Sequence, residues 1–158
     1  MPWHDSEGVV TVNAHQLRDI IEEGENDRIE FKRCGNQPEK DLFETICAFA
    51  NTFGGTILLG VEDDGSLTGI DPAQVLPITG NVLNVVNNPN AFDVPVSLEF
   101  EHIEIDDRQI IKIDVPNSPQ MHSYKGKVYE RRGDADVVVR GSAPLAELCI
   151  RKQGIYTE

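Results

Sequence analysis

Two residues of opposite charge, Glu30 and Lys32, stand one residue apart in a short alternating segment. Ile29 and Phe31 alternate with these charged residues, and this period of two predicts a half-buried β-strand that begins near Arg28. The strand would present its charged side chains together on one face. Nucleases of the restriction type use a Glu-x-Lys pair in this way, with the carboxylate on Mg²⁺ or Mn²⁺ and the lysine stabilising the attacking water or the phosphorane. The other interpretation is that both side chains are ordinary solvated strand residues.

A second polar group consists of Asn51 and Thr52, followed closely by Gly54 and Gly55. Two glycines allow a backbone or a phosphate to approach closely. The preceding residues have helical periodicity, however, and the negative end of a helix dipole repels phosphate. The sequence also contains no Gly-x-x-x-x-Gly-Lys-Ser/Thr motif, so nucleotide hydrolysis is poorly supported. The pattern favours a helix cap and a tight crossing into the next strand over a ligand site.

The third group is basic and lies downstream, with two tyrosines between the charged residues. Its members are Lys125, Lys127, Arg131, Arg132 and Arg140, with Tyr124 and Tyr129 interleaved. Basic side chains with aromatic neighbours suit a groove that follows a nucleic-acid backbone and stacks its bases. The alternative is that these residues only neutralise the acidic middle of the chain.

The charge of the chain is strongly negative and unevenly distributed. The net charge is −13 over 158 residues, and residues 41–107 hold 12 acidic residues without a single Lys or Arg. Residues 108–140 hold 7 bases against 4 acids. Because phosphate contacts supply much of the affinity in nucleic-acid binding, an acidic protein of that class must concentrate its few bases on one surface. The charge equally fits a protein-interaction domain without nucleic-acid binding.

The segment Pro38–Phe53 and the strand after it organise the predicted fold. One apolar stripe at helical spacing contains Leu42, Ile46, Phe49 and Phe53. This stripe predicts an amphipathic helix with one buried face, which Gly54 ends. Residues 56–61 are almost continuously apolar and predict a strand that is covered on both faces. Asp64-Gly65 then predicts a type I′ turn into a returning strand, Ser66–Ile70.

The remaining elements follow from periodicity and turn signals. Helices are expected from Thr11 or Asn13 to Glu23, from Asp71 to Val86 with a break near Pro77, and over residues 142–152. Strands are expected at Phe92–Glu104, Arg108–Val115, Val128–Arg131 and Val137–Arg140. We therefore predict one α+β domain over residues 1–158, with a loose arm at residues 1–10. Its mixed, mainly antiparallel sheet has about six strands, packed by three or four helices.

Several segments carry a family resemblance. They are IEFKR at Ile29–Arg33, AFANTFGGTILLGVEDDG at residues 48–65, Val115-Pro-Asn-Ser118, and Tyr129-Glu-Arg-Arg-Gly133. Over roughly residues 17–133 the chain resembles the Schlafen-type AlbA domain. This is a nucleic-acid-binding domain of bacterial and archaeal regulators and of Schlafen proteins, once grouped with divergent ATPase domains. The resemblance implies DNA binding, or binding of another nucleic acid, with a role in transcriptional or defence regulation.

The resemblance also implies an alternative function, a metal-dependent nuclease. Schlafen-type nucleases have one acid five residues before the Glu of E-F-K, that Glu itself, and one acid after the G-V strand. In this chain the positions are Glu25, Glu30 and either Glu62 or Asp63, all acidic. They would hold Mg²⁺ or Mn²⁺, with Lys32 beside them in the catalytic set. Without nuclease activity no cofactor is implied.

We expect nucleic acid of undetermined type to contact the basic group and its neighbours. The predicted binding residues are Lys32, Arg33, Asn51, Lys125, Lys127, Tyr129, Arg131 and Arg132. A protein-interaction domain that has lost nucleic-acid binding stays open as a third function, and so does a homodimer.

Two absences bear on the compartment. The sequence shows no secretory signal pattern and no apolar run of membrane-spanning length. Cys34, Cys47 and Cys149 lack metal-ligand spacing and cannot all pair, which is typical of reduced thiols. We therefore expect a cytoplasmic protein without a membrane partner.

Overall fold

The structure is a computed structural model that describes residues 14–154. Residues 14–23 are helical and form α1. The other helices are α2 (Leu42–Asn51), a 3₁₀ turn (Pro72–Gln74), α3 (Val75–Val86) and α4 (Ser142–Gly154). The strands are β1 (Ile29–Lys32), β2 (Gly55–Leu59), β3 (Glu99–Ile105), β4 (Arg108–Val115), β5 (Tyr129–Arg132) and β6 (Ala135–Val138). The predicted arm at residues 1–10 and the cap at Thr11 or Asn13 lie outside the described residues.

The six strands of the described chain form two sheets, which confirms the α+β fold but divides the single sheet that was predicted. The larger sheet has the order β1-β2-β4-β3, with β1 parallel to β2 and the other neighbours antiparallel. β5 and β6 form a separate antiparallel ribbon. This ribbon packs on α2 rather than extending the sheet.

Helix α2 is the centre of the larger core, as predicted, but it is shorter than its apolar stripe. Leu42, Ile46 and Phe49 are fully buried. The helix begins at Leu42 instead of Pro38, because Pro38 forms a bridge with Cys34 and closes the preceding loop. Phe53 lies beyond the end of the helix and is 55% exposed.

The sheet separates two cores, which confirms that β2 is covered on both faces. Ile57 and Leu59 point into the core that contains α2 and α3. Leu58 points into the second core, where it joins Leu17 of α1 and Phe31 of β1. The near-continuous apolar run of β2 therefore reflects two different packing partners.

Gly54 and Gly55 make the crossing from α2 into β2 as tight as their spacing predicts. Gly54 has φ +73°, and its N–H donates to Phe49 O over 2.7 Å in a left-handed helix cap. A Cβ on Gly54 would lie 2.7 Å from Val115 O, and one on Gly55 would lie 2.9 Å from Arg28 O. Both positions therefore need glycine because neighbouring backbone atoms of this protein lie so close, and no bound ligand is needed to explain them.

The turn after β2 differs from the predicted type I′ hairpin. The N–H of Glu62 donates to Ser66 O and the N–H of Gly65 donates to Glu62 O, both over 2.9 Å, so three residues close the turn. A type I′ turn requires a positive φ at both central positions. Gly65 has a φ of +88°, but the φ of Asp64 is not positive. The predicted returning strand is reduced to isolated bridges at Leu67 and Ile70.

Two prolines explain two further corrections. The helix from the Asp71 region is not broken near Pro77, because Pro77 lies in the first turn of α3, where a backbone N–H has no helical partner to lose. Strand β3 begins at Glu99 instead of Phe92. Pro95 cannot donate to a ladder, and Phe92 is instead bridged to Tyr124.

Helix α4 is attached to α2 by a buried lysine. Lys152 Nζ donates to Ala50 O, near the C-terminal end of α2, over 2.7 Å. Burial lowers the pKa of Lys152 to about 8.

No helix among residues 14–154 combines the length and apolar character needed to cross a bilayer.

We predict that Phe49→Ala lowers the free energy of unfolding by about 3–5 kcal/mol, because it leaves a cavity under the helix at the centre of the core. Phe53→Ala removes the same side chain from an exposed position and should cost less than about 1 kcal/mol. Urea denaturation of both variants measures the difference. Equal losses would mean that the buried face of α2 is assigned wrongly.

We also predict that Lys152 makes stability depend on pH. Its folded pKa of about 8 lies below the ordinary value of 10.5, so the unfolded chain binds more protons between these values and stability rises with pH there. Lys152→Met should flatten this rise when unfolding is measured at several pH values from about 7 to 10.5. Arg140→Met, which removes a positive charge from an exposed residue that does not contribute to the pKa shift of Lys152, is the control. A rise that persists in Lys152→Met would contradict the assignment.

Candidate functional site

The Glu-x-Lys pair of β1 faces the protein interior rather than solvent. β1 and β2 are in parallel register, so Glu30 and Lys32 share the sheet face of Ile57 and Leu59. Lys32 is only 5% exposed, and its Nζ lies 3.1 Å from Asp41 Oδ1 and 3.7 Å from Glu30 Oε2. The predicted strand is therefore correct, but its charged face is covered.

The partner of Glu30 is Arg131 of β5, which bridges the ribbon and the sheet. Arg131 Nη2 lies 2.7 Å from Glu30 Oε1 and also donates to Asn26 O over 3.0 Å. Arg131 Nη1 pairs with Asp136 Oδ1 at 2.8 Å, and the guanidinium lies over the ring of Phe49 with its carbon 4.8 Å from the centroid. Burial alone would lower the pKa of Arg131, but its bonds to Asp136 and Glu30 raise it.

Glu30 also interacts with a second acid, Glu25. The pKa of Glu30 is raised to about 7. Burial is the largest cause and a hydrogen bond with Glu25 is the next, while Arg131 and Lys32 act in the opposite direction. Glu25 Oε2 accepts from the N–H of Phe31 over 3.0 Å. The two predicted ligands are thus neighbours, and each is already engaged by the protein.

Beside them lies an opening that we call the acidic cleft. It has a volume of about 190 Å³ and is lined by Glu30, Phe31, Lys32, Arg33, Glu39, Asp41, Glu62 and Asp63. The structure therefore brings Glu30, Glu62 and Asp63 to one cleft, with Glu25 reaching it only through Glu30. Among residues 14–154, however, no three His, Cys, Asp or Glu side chains are arranged to hold a metal ion. Because Glu30 is held by Arg131, the predicted ligand set does not fit Mg²⁺ or Mn²⁺ as arranged here.

Asn51 is the centre of a buried hydrogen-bond network at the end of α2. Its Nδ2 donates to His122 O and to Tyr129 O, and its Oδ1 accepts from the N–H of His122, each over 2.8 Å. These hydrogen bonds join α2 to β5 and to the loop that precedes β5. A side chain whose donors and acceptor are all used inside the protein is not free to bind a ligand.

The side chain of His122 extends this hydrogen-bond network to Val94 and to Ser118. His122 Nδ1 lies 2.8 Å from Val94 O and must carry the proton, since a carbonyl only accepts. Nε2 then accepts from Ser118 Oγ over 2.7 Å. Burial lowers the pKa of His122, which is consistent with a neutral ring. The sequence alone did not indicate this buried pair.

The predicted nucleic-acid-binding residues divide into two groups. The buried group contains Lys32, Asn51, Tyr129 and Arg131. The exposed group contains Arg33, Lys125, Lys127 and Arg132. Within the exposed group, Arg33 lies near Glu39 and Glu62, and Arg132 pairs with Glu130 at 2.7 Å. Lys125 and Lys127 form no ion pair with a described residue.

A second opening, which we call the lysine cleft, is lined by both Lys40 and Lys125. Its volume is about 360 Å³, and its lining includes Lys40, Phe43, Val82, Val85, Tyr124 and Lys125. Lys127 is the other end of the same short turn, since Tyr124 and Lys127 are bridged. Lys40 was not predicted, because it belongs to the loop before α2 and only the fold brings it to residues that lie far along the chain.

Comparisons with known proteins agree with the fold. A family model described as Schlafen, AlbA_2 matches residues 25–140. The DIP2311 protein from Corynebacterium diphtheriae is similar over 79% of this chain, with a TM-score of 0.54 and 18% identity, although the match spans only 29% of that longer protein.

A second solved structure is the N-terminal domain of a Nitrosomonas europaea protein named as related to the ATP-dependent DNA helicase RecG. It has a TM-score of 0.50 and 24% identity, and the match covers 77% of this chain and 91% of that domain. At these identities the likeness concerns the fold alone. No curated protein matches the sequence.

The family match includes the segments that form the buried centre of this structure. Glu30 comes from E-F-K, Asn51 from A-F-A-N, and Arg131 from Y-x-R-x-G. Each of them joins the ribbon or its approaching loop to the sheet and α2. By the family match over residues 25–140, this chain belongs to the Schlafen AlbA_2 family.

Proposed function

We propose that this chain is a nucleic-acid-binding domain whose ligand lies across the lysine cleft. One observation carries the proposal: Lys40 and Lys125 line one opening, with Lys127 at the same turn, in a chain of net charge −13. All three lysines are exposed, and none forms an ion pair with a residue among 14–154. Uncompensated cations of this kind suit phosphate contacts.

The surrounding charges support the same location. Lys32 and Arg131, which were candidates for this role, are neutralised by Glu30, Asp41 and Asp136. The acidic cleft repels a polyanion, so electrostatics would confine the ligand to the lysine cleft.

Family membership supports the class of ligand. The AlbA-type domains that this chain resembles are associated with nucleic acid, and one structural relative is named for its relation to a DNA helicase. DNA binding in particular, and a role in transcriptional or defence regulation, remain predictions of that resemblance.

The number of lysines limits the affinity of one chain. Three phosphate contacts give a salt dependence, d log K/d log[salt], of about −2 on single strands and about −2.7 on B-DNA. A homodimer, if it forms, would place two clefts on one ligand and raise the affinity without new contacts.

We predict that Lys40→Glu/Lys125→Glu lowers nucleic-acid affinity at least tenfold and reduces the salt slope by about 1.4 on single strands, because two phosphate contacts are lost. The matched control is Arg108→Glu/Arg140→Glu, which changes the net charge equally at two exposed residues outside the cleft. Fluorescence anisotropy at several salt concentrations measures both, with melting curves to confirm folding.

Equal losses in both double variants would mean that overall charge, not the cleft, controls binding. Binding that is unaltered in Lys40→Glu/Lys125→Glu would contradict the proposal, and the protein-interaction function would then lead.

The metal-dependent nuclease remains the alternative, favoured by one observation. The acidic cleft collects Glu30, Glu62 and Asp63 beside Lys32. The ion pair between Glu30 and Arg131 instead supports a structural role for Glu30. The two roles make different predictions for Glu30 and Asp63, because only Glu30 is tied into the interior.

For the structural role, we predict that Glu30→Gln lowers the free energy of unfolding by about 1–3 kcal/mol, since Arg131 loses its charged partner, whereas Asp63→Asn leaves it unchanged. The raised pKa of Glu30, about 7 against 4.5, contributes stability below pH 4.5 that is lost as pH rises through 7. Glu30→Gln should remove that dependence. Mn²⁺-dependent cleavage of RNA or single-stranded DNA by the parent chain, abolished in both variants, would establish the nuclease instead.

A further inference from the structure

The lysine cleft has an aromatic wall as well as charged edges. Phe43 is partly buried and lines the cleft, and its ring centroid lies 5.8 Å from that of Tyr124. Tyr124 in turn lies 5.1 Å from Phe92, which is fully buried. Phe43 is therefore the accessible end of a row of three rings that is anchored in the core. Val82 and Val85 complete the apolar part of the lining.

Lys125 is held at the edge of this wall by an unusual turn. Lys125 and Gly126 have φ +49° and +80°, and Tyr124 and Lys127 exchange backbone hydrogen bonds of 2.8 and 3.1 Å around them. The N–H of Lys125 also donates to Ala91 O over 2.7 Å. A positive φ is uncommon for a residue other than glycine. Lys125 Nζ lies 5.4 Å from the centroid of the Tyr124 ring.

We infer that the lysine cleft takes one unpaired nucleobase against Phe43, with the flanking phosphates on Lys40 and Lys125. The ligand class is therefore single-stranded nucleic acid. This inference rests on the proposed function and specifies the ligand of the same site.

Three features select a base over other occupants. The volume of about 360 Å³ falls within the range of about 300–1,000 Å³ typical of small-ligand sites. An aromatic ring that lines the same opening as two cations suits a base with its neighbouring phosphates. A base in a duplex must first be unpaired and unstacked before it can enter a cleft, at a cost in free energy that an unpaired strand does not incur, so the cleft favours a single strand.

Two polar residues at the cleft are compatible with this ligand. Glu39 is the acid in the lining, and it lies 3.9 Å from Arg33 Nε on the side of the acidic cleft. Asn81 is exposed on α3 and lines the cleft. Its amide offers both donors and an acceptor to the edge of a base.

The experiment compares the full chain on three ligands of equal length: a thymidine oligonucleotide, an abasic phosphodiester strand with the same number of phosphates, and a duplex. We expect the base-bearing strand to bind between about 5-fold and 160-fold more tightly than the abasic strand, the range of one stacked base. Phe43→Leu, which keeps an apolar side chain, should erase this difference and leave abasic binding unchanged. Lys40→Gln should weaken both strands.

A second measurement does not depend on the folding of a variant. A 2-aminopurine placed in the strand should lose fluorescence on binding to the parent chain, because it stacks on an aromatic ring. Equal affinity for base-bearing and abasic strands, without quenching, would overturn the single-strand inference and leave phosphate binding intact. Tighter binding of the duplex would overturn it as well. Absence of binding to all three ligands at low salt would overturn the proposed function itself.

Discussion

A buried network of ion pairs, centred on the guanidinium of Arg131, holds the sheet, the ribbon and α2 together. The guanidinium joins Glu30 of the sheet to Asp136 of the ribbon and lies over Phe49 of α2. Removing two charges from water costs several kcal/mol per ion unless the geometry compensates, and here both ends of the guanidinium meet carboxylates. The ribbon is thereby fixed on α2 instead of joining the edge of the sheet.

This arrangement gives a physical meaning to the family segments. Glu30 and Arg131 meet in one ion pair, Asn51 joins α2 to Tyr129 and His122, and Ser118 donates to His122. These segments lie far apart in sequence, and their polar side chains converge in the interior. They hold the ribbon and its approaching loop in place, and so they position the turn that carries Lys125. Their contribution to ligand binding, on this view, is indirect.

Two clefts of opposite character, the acidic cleft and the lysine cleft, share the loop before α2. Glu39 lines both, so the change from acidic to basic surface occurs within a few residues. An acidic chain benefits from such separation, because repulsion elsewhere directs a polyanion toward the few uncompensated lysines. The net charge of −13 is therefore compatible with binding that is weak, local and sensitive to salt.

Elements with local signals could be predicted from the sequence. They are the apolar stripe of α2, the doubly buried run of β2, the glycine crossing at Gly54 and the strand Arg108–Val115. Periodicity records which face of an element is buried, and turn residues record where φ is positive. The sequence could not show whether Glu30 and Arg131 face solvent or each other, because a charged residue in an alternating strand has the same pattern in both cases. Only the tertiary structure decided that pairing, and with it the burial of half the predicted binding residues. It also brought Lys40 and Lys125 to one opening, since that depends on how α2, α3 and the turn pack together rather than on any property of the residues near Lys40.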